Sequence, residues 1–312
     1  MSRVRPLSLP AWIVAVTIPV FIGTWVLAPS ETLSGTVGSA TAPHIPVRQP
    51  NEPPPIMQLH HPRVQREPAL HPTIYGLEQT WKVAFTFDDG PHLAHTRRLL
   101  DILRRHEVKA TFFINGYWLD EQHRCSALRA QQLVRQAYRE GHGIGNHTFG
   151  HVRLSHLSPE EQTWQIVANH ELITRVTGRP PTLFRPPYAT MTDHTRQQLQ
   201  ELGYTEALWS ATAPDQEIDD PTEIKRTVMS WLLTYNGGIV MLHDRFRWSV
   251  DATELILRSL DRLNCRRLRR GRPTFEAVSL DSFLRPPPQS GALHVEVEQQ
   301  RHMERLRRIC SR

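Results

Sequence analysis

Cysteine is scarce in this 312-residue chain, which has three: Cys125, Cys265 and Cys310. None lies near enough to another to form a zinc knuckle, which excludes that kind of metal site. Outside the cytoplasm one disulfide and one leftover thiol can form. Cys265 with Cys310 is then the favoured pair, because Cys125 stands alone, and three unpaired thiols are the alternative. There is no internal repeat and no glycine fingerprint of the cofactor-binding kind. Apolar residues make up 39%, too few for a chain packed throughout, so part of it lies outside any core. The formal net charge of +6 does not require an anionic partner. The arginines lie mainly on helix faces and in a cluster from Arg266 to Arg272, with no nucleic-acid motif around them, and no nucleic-acid partner is expected. Long hydrophobic runs are confined to one place.

That place is the N-terminus. Arg3 and Arg5 precede an uncharged stretch whose centre is 9–28, long enough to span a bilayer as a helix. Pro29 follows directly and hinders cleavage, so the expectation is an uncleaved anchor with residues 1–8 in the cytoplasm and the remainder exported. A cleaved signal sequence and secretion are the alternative. Residues 29–80 are proline-rich without apolar periodicity and read as a semi-extended tether. The character changes at Trp81, where a folded domain is expected over 81–284, followed by a charged tail over 285–312 that is helical from about Leu293 to Arg308.

Within 81–284, short apolar runs alternate with helical patterns. Strands are expected at Lys82–Phe87, Ala110–Ile114, Gly143–Asn146, Leu183–Phe184, Ala207–Trp209, Ile239–Leu242 and Thr274–Leu280. Helices are expected at Thr96–His106, Ala127–Glu140, Pro159–Thr177, Asp193–Leu202, Pro221–Tyr235 and Ala252–Leu263. Ser158 caps the third of these, with Pro159 at its first position and Gly178 after its end. Strand–helix alternation of this kind means parallel strands with helices outside. The fold class is α/β, a distorted (β/α) barrel of about seven parallel strands.

In such a barrel, chemistry gathers at the C-terminal strand ends. The residues there are Asp88 and Asp89, His147 and His151, Arg185 and Tyr188, Asp215 a little downstream, and His243 with Asp244. Two adjacent carboxylates repel unless a cation or an arginine is near. Histidines four apart face one way on a helical turn. With one aspartate they form a two-histidine, one-carboxylate set with positions open for water. Arg185 lies in Phe184-Arg185-Pro186-Pro187-Tyr188, where two prolines restrict the backbone and the arginine can hold a carboxylate in one rotamer.

Taken together, these segments resemble the polysaccharide deacetylase family, carbohydrate esterase family 4, with its NodB-like homology domain. The resemblance rests on Thr86-Phe87-Asp88-Asp89-Gly90-Pro91 with Thr96, Ala110 to Gly116, Glu140 to His151, Arg185-Pro186-Pro187-Tyr188 and Leu242-His243-Asp244, in the family's order. It implies a metal held by Asp89, His147 and His151, zinc first, with cobalt or another divalent ion possible. Asp88 is implied as general base, Arg185 as its orienting partner and His243 as general acid paired with Asp215. Tyr188 is implied as donor of a backbone N–H to an oxyanion. Three positions depart from the pattern: Ala189 where glycine is common, Gln216 where a tryptophan stands beside the aspartate, and Thr212 where an aspartate is common. The implied activity is hydrolysis of the N-acetyl amide of an N-acetylglucosamine-containing polysaccharide at the cell envelope, peptidoglycan first. Chitin-type oligomers, an exopolysaccharide or non-catalytic carbohydrate binding are the alternatives. Oligomeric state is not legible.

Overall fold

The computed structural model describes residues 73–76, 80–122, 125–283 and 292–311. The expected membrane segment and most of the expected tether fall outside these residues. The strands are β1 (Thr73–Ile74), β2 (Lys82–Gly90), β3 (Ala110–Ile114), β4 (Gly143–Asn146), β5 (Leu183–Phe184), β6 (Thr205–Ala207), β7 (Ala211–Thr212), β8 (Gly238–His243) and β9 (Glu276–Ala277). The helices are α1 (His95–Arg105), α2 (Ala127–Arg139), α3 (Pro159–Thr177), α4 (Asp193–Glu201), α5 (Pro221–Tyr235), α6 (Arg247–Arg269) and α7 (Ala292–Cys310).

Every ladder is parallel, and the strand order is β1-β6-β5-β4-β3-β2-β8-β7, with β9 pairing β2. The sheet has nine strands, two more than expected: a curled path of eight with β9 beside it, and no ladder joins β7 back to β1 among the described residues. The two unexpected strands, β1 and β7, have two residues each and carry no periodicity to read. β1 pairs with Glu206–Ala207, so paired structure begins upstream of Trp81. The last strand is shorter than Thr274–Leu280, because Phe275 exchanges two hydrogen bonds with the Asn264 side chain and a 3-10 turn takes over at Leu280.

The central strands are buried on both faces, which is why they read as unbroken apolar runs. Their two faces are nevertheless distinct. Val83, Phe85 and Phe87 of β2, Ala110, Phe112 and Ile114 of β3, and Val240 and Leu242 of β8 join the core under the helices. Ala84, Phe113 and Ile239 join a smaller cluster inside the curl. By strict alternation, Thr86 and Asp88, and likewise Met241 and His243, follow Ala84 and Ile239 onto the inner face. The strand period therefore aims the site residues at the barrel mouth.

The caps of α3 form as expected: Ser158 and Glu161 make a reciprocal capping box, and Gly178 ends the helix in the left-handed region at φ 77°. α6 runs well past the apolar pattern at both ends. Ser249 and Val250 are buried at its start, Asn264 and Cys265 at its end, and arginines in its last turn complement the helix dipole. α7 lies beside α6. Cys265 and Cys310 are disulfide-bonded with Cα atoms 5.3 Å apart, Leu306 is fully buried, and Arg305 bonds to Asp261 at 2.8 Å and to the carbonyl of His106 at 2.8 Å. Cys125 is free and exposed.

Because the bridge closes a span of 45 residues, its removal releases chain entropy into the unfolded state. Cys310→Ser is expected to lose about 2–4 kcal/mol in denaturant unfolding. A wild-type midpoint unmoved by reductant would refute a stapling role.

Candidate active site

The two adjacent carboxylates are separated by a bulge. On β2, Asp88 pairs with Phe113 and Gly90 with Ile114, so Asp89 is an extra residue without a partner on β3. Its φ is 69°, and the kink re-aims its side chain, so that both carboxylates reach the mouth despite being sequence neighbours. Gly90 is required just beyond, since a Cβ there would lie 2.4 Å from the Asp244 carboxylate.

Asp88 meets Arg185, whose Nη1 donates to its Oδ1 at 2.7 Å. Arg185 is itself fully buried. It also donates to Thr86 Oγ1 at 2.8 Å, to the carbonyl of Ala207 at 2.7 Å and to that of Leu208 at 2.9 Å, with its guanidinium 4.1 Å from the centre of the Phe113 ring. Burial pulls the arginine pKa down and the Asp88 charge and hydrogen bond oppose it.

His147 and His151 do not lie on the helical turn expected of them. Asn146 Oδ1 accepts from the N–H of Thr148, Gln165 accepts from those of Phe149 and Gly150, and Asn169 Nδ2 donates to the carbonyls of Ile114 and Thr148. These bonds use the backbone groups that a helix would pair. Thr148 and His151 adopt φ of 65° and 53°. The result still brings the rings together, with centroids 5.0 Å apart.

Nδ1 of His147 sits 2.6 Å from the carbonyl of Arg185, which accepts only, so Nδ1 carries the proton and Nε2 presents a lone pair. That Nε2 is 3.6 Å from Asp89 Oδ1, and His151 Nε2 is 3.2 Å from the same oxygen. One donor atom from each of the three residues falls within 4.8 Å of the others. Burial pushes the His147 pKa down to about 3, so the ring is neutral. Asp89 Oδ1 is buried and accepts no hydrogen bond from the described residues. A buried carboxylate oxygen without a donor, facing two imidazoles, fits a divalent cation. The other oxygen of Asp89 meets Arg245 Nη1 at 3.3 Å.

His243 ends β8, level with Asp88 in the ladder. Its Nδ1 lies 2.9 Å from Asp215 Oδ1, and its backbone N–H donates to Asp215 Oδ2 at 2.7 Å. Ser249 also bonds to Asp215 Oδ2, and Trp248 Nε1 donates to the Asp215 carbonyl at 2.7 Å. Burial works against charge on His243. Hydrogen bonding and charge from Asp215, with Asp88 and Asp89 behind, outweigh it and raise the pKa above 6.5. Tyr188 sits in a 3-10 turn after Pro187 at φ 59°, its half-exposed ring 5.0 Å from that of His151. A cleft of about 310 Å³ opens from Asp89 and His151, lined also by Asn115, Tyr117, Trp118 and Arg245.

All eight expected site residues thus converge on one mouth. Residues that the sequence reading did not single out hold them there: Thr86, Asn169, Gln165 and Ser249. Asp244, expected at a strand end without a role, is buried against Gly90 and bonded to Thr96. The readable signal for Gln165 and Asn169 is their place among Gln162, Ile166 and Ile173 on the buried stripe of α3.

A curled parallel α/β sheet with a carboxylate and two histidines at its strand ends defines a barrel-type protein with a candidate metal site. The polysaccharide deacetylase family model matches residues 78–207. A peptidoglycan-N-acetylglucosamine deacetylase of Bacillus cereus is 34% identical over 185 residues, 56% of this chain and 80% of that protein. A second B. cereus protein of the same name is 32% identical over 57% of this chain and 63% of its own length. Peptidoglycan-N-acetylmuramic acid deacetylase PdaC of Bacillus subtilis is 33% identical, with 35% of its length matched. The chain therefore spans less than two thirds of these last two relatives. Among solved structures, the Bc1960 peptidoglycan N-acetylglucosamine deacetylase superposes with a TM-score of 0.57 at 29% identity, covering 69% of this chain and 92% of that one. The chain belongs to the polysaccharide deacetylase family.

Arg185→Met would leave Asp88 buried with no countercharge. Its expected cost is about 3–5 kcal/mol in denaturant unfolding. Asp88→Asn added to it should recover part of that loss, and strict additivity of the two would show that the pair is not coupled.

Proposed function

We propose that this protein is a metal-dependent N-deacetylase of an N-acetylglucosamine-containing polysaccharide, with peptidoglycan as the substrate. The observation that carries this reading is the unpartnered buried oxygen of Asp89 facing His147 and His151, beside an Asp88 oriented by Arg185. The names of the relatives support the substrate class.

Asp89, His147 and His151 would hold the cation, and zinc suits two imidazoles and a carboxylate best. When bound, a divalent ion acidifies water and polarises a carbonyl, the two things an unreactive amide needs. Asp88 accepts the proton of the attacking water, and its second oxygen, 3.9 Å from His147 Nε2, keeps it next to the ligand cluster. Arg185 holds Asp88 in one rotamer through the bond to its Oδ1. The backbone N–H of Tyr188, carried on a left-handed turn, is offered to the oxyanion. His243 delivers a proton from Nε2 to the sugar nitrogen as the C–N bond breaks, and Asp215 stabilises the imidazolium. The products are acetate and a free amino sugar.

The N-terminal segment 9–28 anchors the domain in the membrane and the tether carries it to the wall. The Cys265–Cys310 bridge supports a location outside the cytoplasm, because disulfides persist in oxidising compartments.

The test is acetate release by the full chain from N-acetylglucosamine oligomers and from purified peptidoglycan, after chelation and again after zinc return. Release should vanish and then recover. Asp88→Asn should bind zinc and lose at least about 100-fold in turnover, the scale of a general base. An active chelated enzyme, or a His147→Ala protein that keeps full activity, would overturn the assignment.

A further inference from the structure

His243 is 4% exposed, and Gln216 lies against its outer ring nitrogen. The carboxamide nitrogen of Gln216 lies 2.7 Å from His243 Nε2. For the neutral ring the surrounding hydrogen bonds fix the sense of this contact. Asp215 accepts from the His243 backbone N–H and from Ser249, and as a carboxylate it can only accept, so Nδ1 of the ring must carry the proton that points to it. In the neutral ring Nε2 is then an acceptor, and the NH2 of Gln216 donates to it. Nε2 is the nitrogen from which the proposed reaction delivers its proton. Gln216 thus occupies the position that the substrate nitrogen must take. Unlike His243, it is exposed, on the turn that follows Asp215, and its side chain can rotate away into solvent.

We propose that Gln216 is a positioning residue that caps His243 Nε2 in the free protein and is displaced by the substrate. The cap has two consequences. It holds the imidazole in the tautomer that Asp215 requires, and it adds the loss of one hydrogen bond to the cost of substrate binding. The inference rests on the deacetylase reading above.

The experiment uses the zinc-loaded full chain and an N-acetylglucosamine oligomer, comparing wild type with Gln216→Met, which keeps the length without the donor, and Gln216→Ala, which opens the position. Both variants should lower KM by roughly 2- to 10-fold, the size of one neutral hydrogen bond, with kcat little changed. A merely structural role would lower kcat and the melting temperature instead. Independently of turnover, heteronuclear NMR of isotope-labelled histidine should move the His243 Nε2 resonance in Gln216→Met towards that of an imidazole nitrogen without a donor. Unchanged KM in both variants, or an unmoved resonance, overturns the cap. A wild type that releases no acetate while the resonance does move overturns the deacetylase reading, and with it the role of the cap in a reaction.

Discussion

The buried pair of Arg185 and Asp88 is the constraint on which the mouth of this barrel depends. A guanidinium with no solvent exposure is expensive to bury, and it is held only because its donors are matched. They meet a carboxylate, a hydroxyl and two carbonyls from two different stretches of chain. Those stretches are the C-terminal half of β2, at Thr86 and Asp88, and the residues closing β6. Arg185 therefore crosses the inside of the curl and ties opposite walls together, at a level where an apolar barrel would place aliphatic side chains. It also hands its own carbonyl to His147, so the same residue that orients the proposed base selects the tautomer of a proposed metal ligand. Base and ligand geometry are not set independently.

Around that tie, four carboxylates within one mouth are placed in four different environments. Asp88 has an arginine. Asp89 has an oxygen without a donor. Asp215 has a histidine and several hydrogen-bond donors. Asp244 is buried, and burial pushes its pKa up to about 7, with the charge of Asp89 adding to the rise and the hydrogen bond from Thr96 opposing it. Acid–base assignments follow from environments pushed apart in this way rather than from residue type. Local backbone geometry shows the same economy. Asp89, Thr148, His151, Tyr188 and Ala189 all have φ between 53° and 69°, a region that non-glycine residues enter at a cost the surrounding hydrogen bonds must offset.

The legible part of this structure was what periodicity and residue order encode. Doubly buried parallel strands read as apolar runs, Ser158 and Gly178 mark α3 to the residue, and the site residues stand in a recognisable order at successive strand ends. What did not read has physical causes. The bulge at Asp89 has no residue signature of its own, because the glycine and proline that mark a turn come after it. The turn carrying His147 and His151 is shaped by Asn146, Gln165 and Asn169, and a polar residue on a helix reads as solvent-facing unless the apolar stripe around it is counted. β1 and β7 are shorter than one period of any pattern. α6 outran its apolar pattern because its ends are anchored by polar contacts and a disulfide, neither of which has periodicity.

The contrast between the interior and the rim of the mouth bears on where specificity resides. Arg185, Asp88, His147, Asp215 and His243 are buried, and each is held by neighbours that are themselves buried, so none can adapt to a substrate without breaking several bonds at once. Arg245, Gln216 and Tyr188 are exposed or half-exposed, and each touches one residue of the site: the buried Asp89, the buried His243 and the partly exposed His151 respectively. A polysaccharide of the proposed kind would meet these three first. The buried set can only accept or refuse the reacting group that the rim presents to it. Rim residues can change conformation at the expense of one or two contacts, so on the proposed function discrimination between neighbouring sugars would fall to them, and the chemistry would stay with the layer that cannot move.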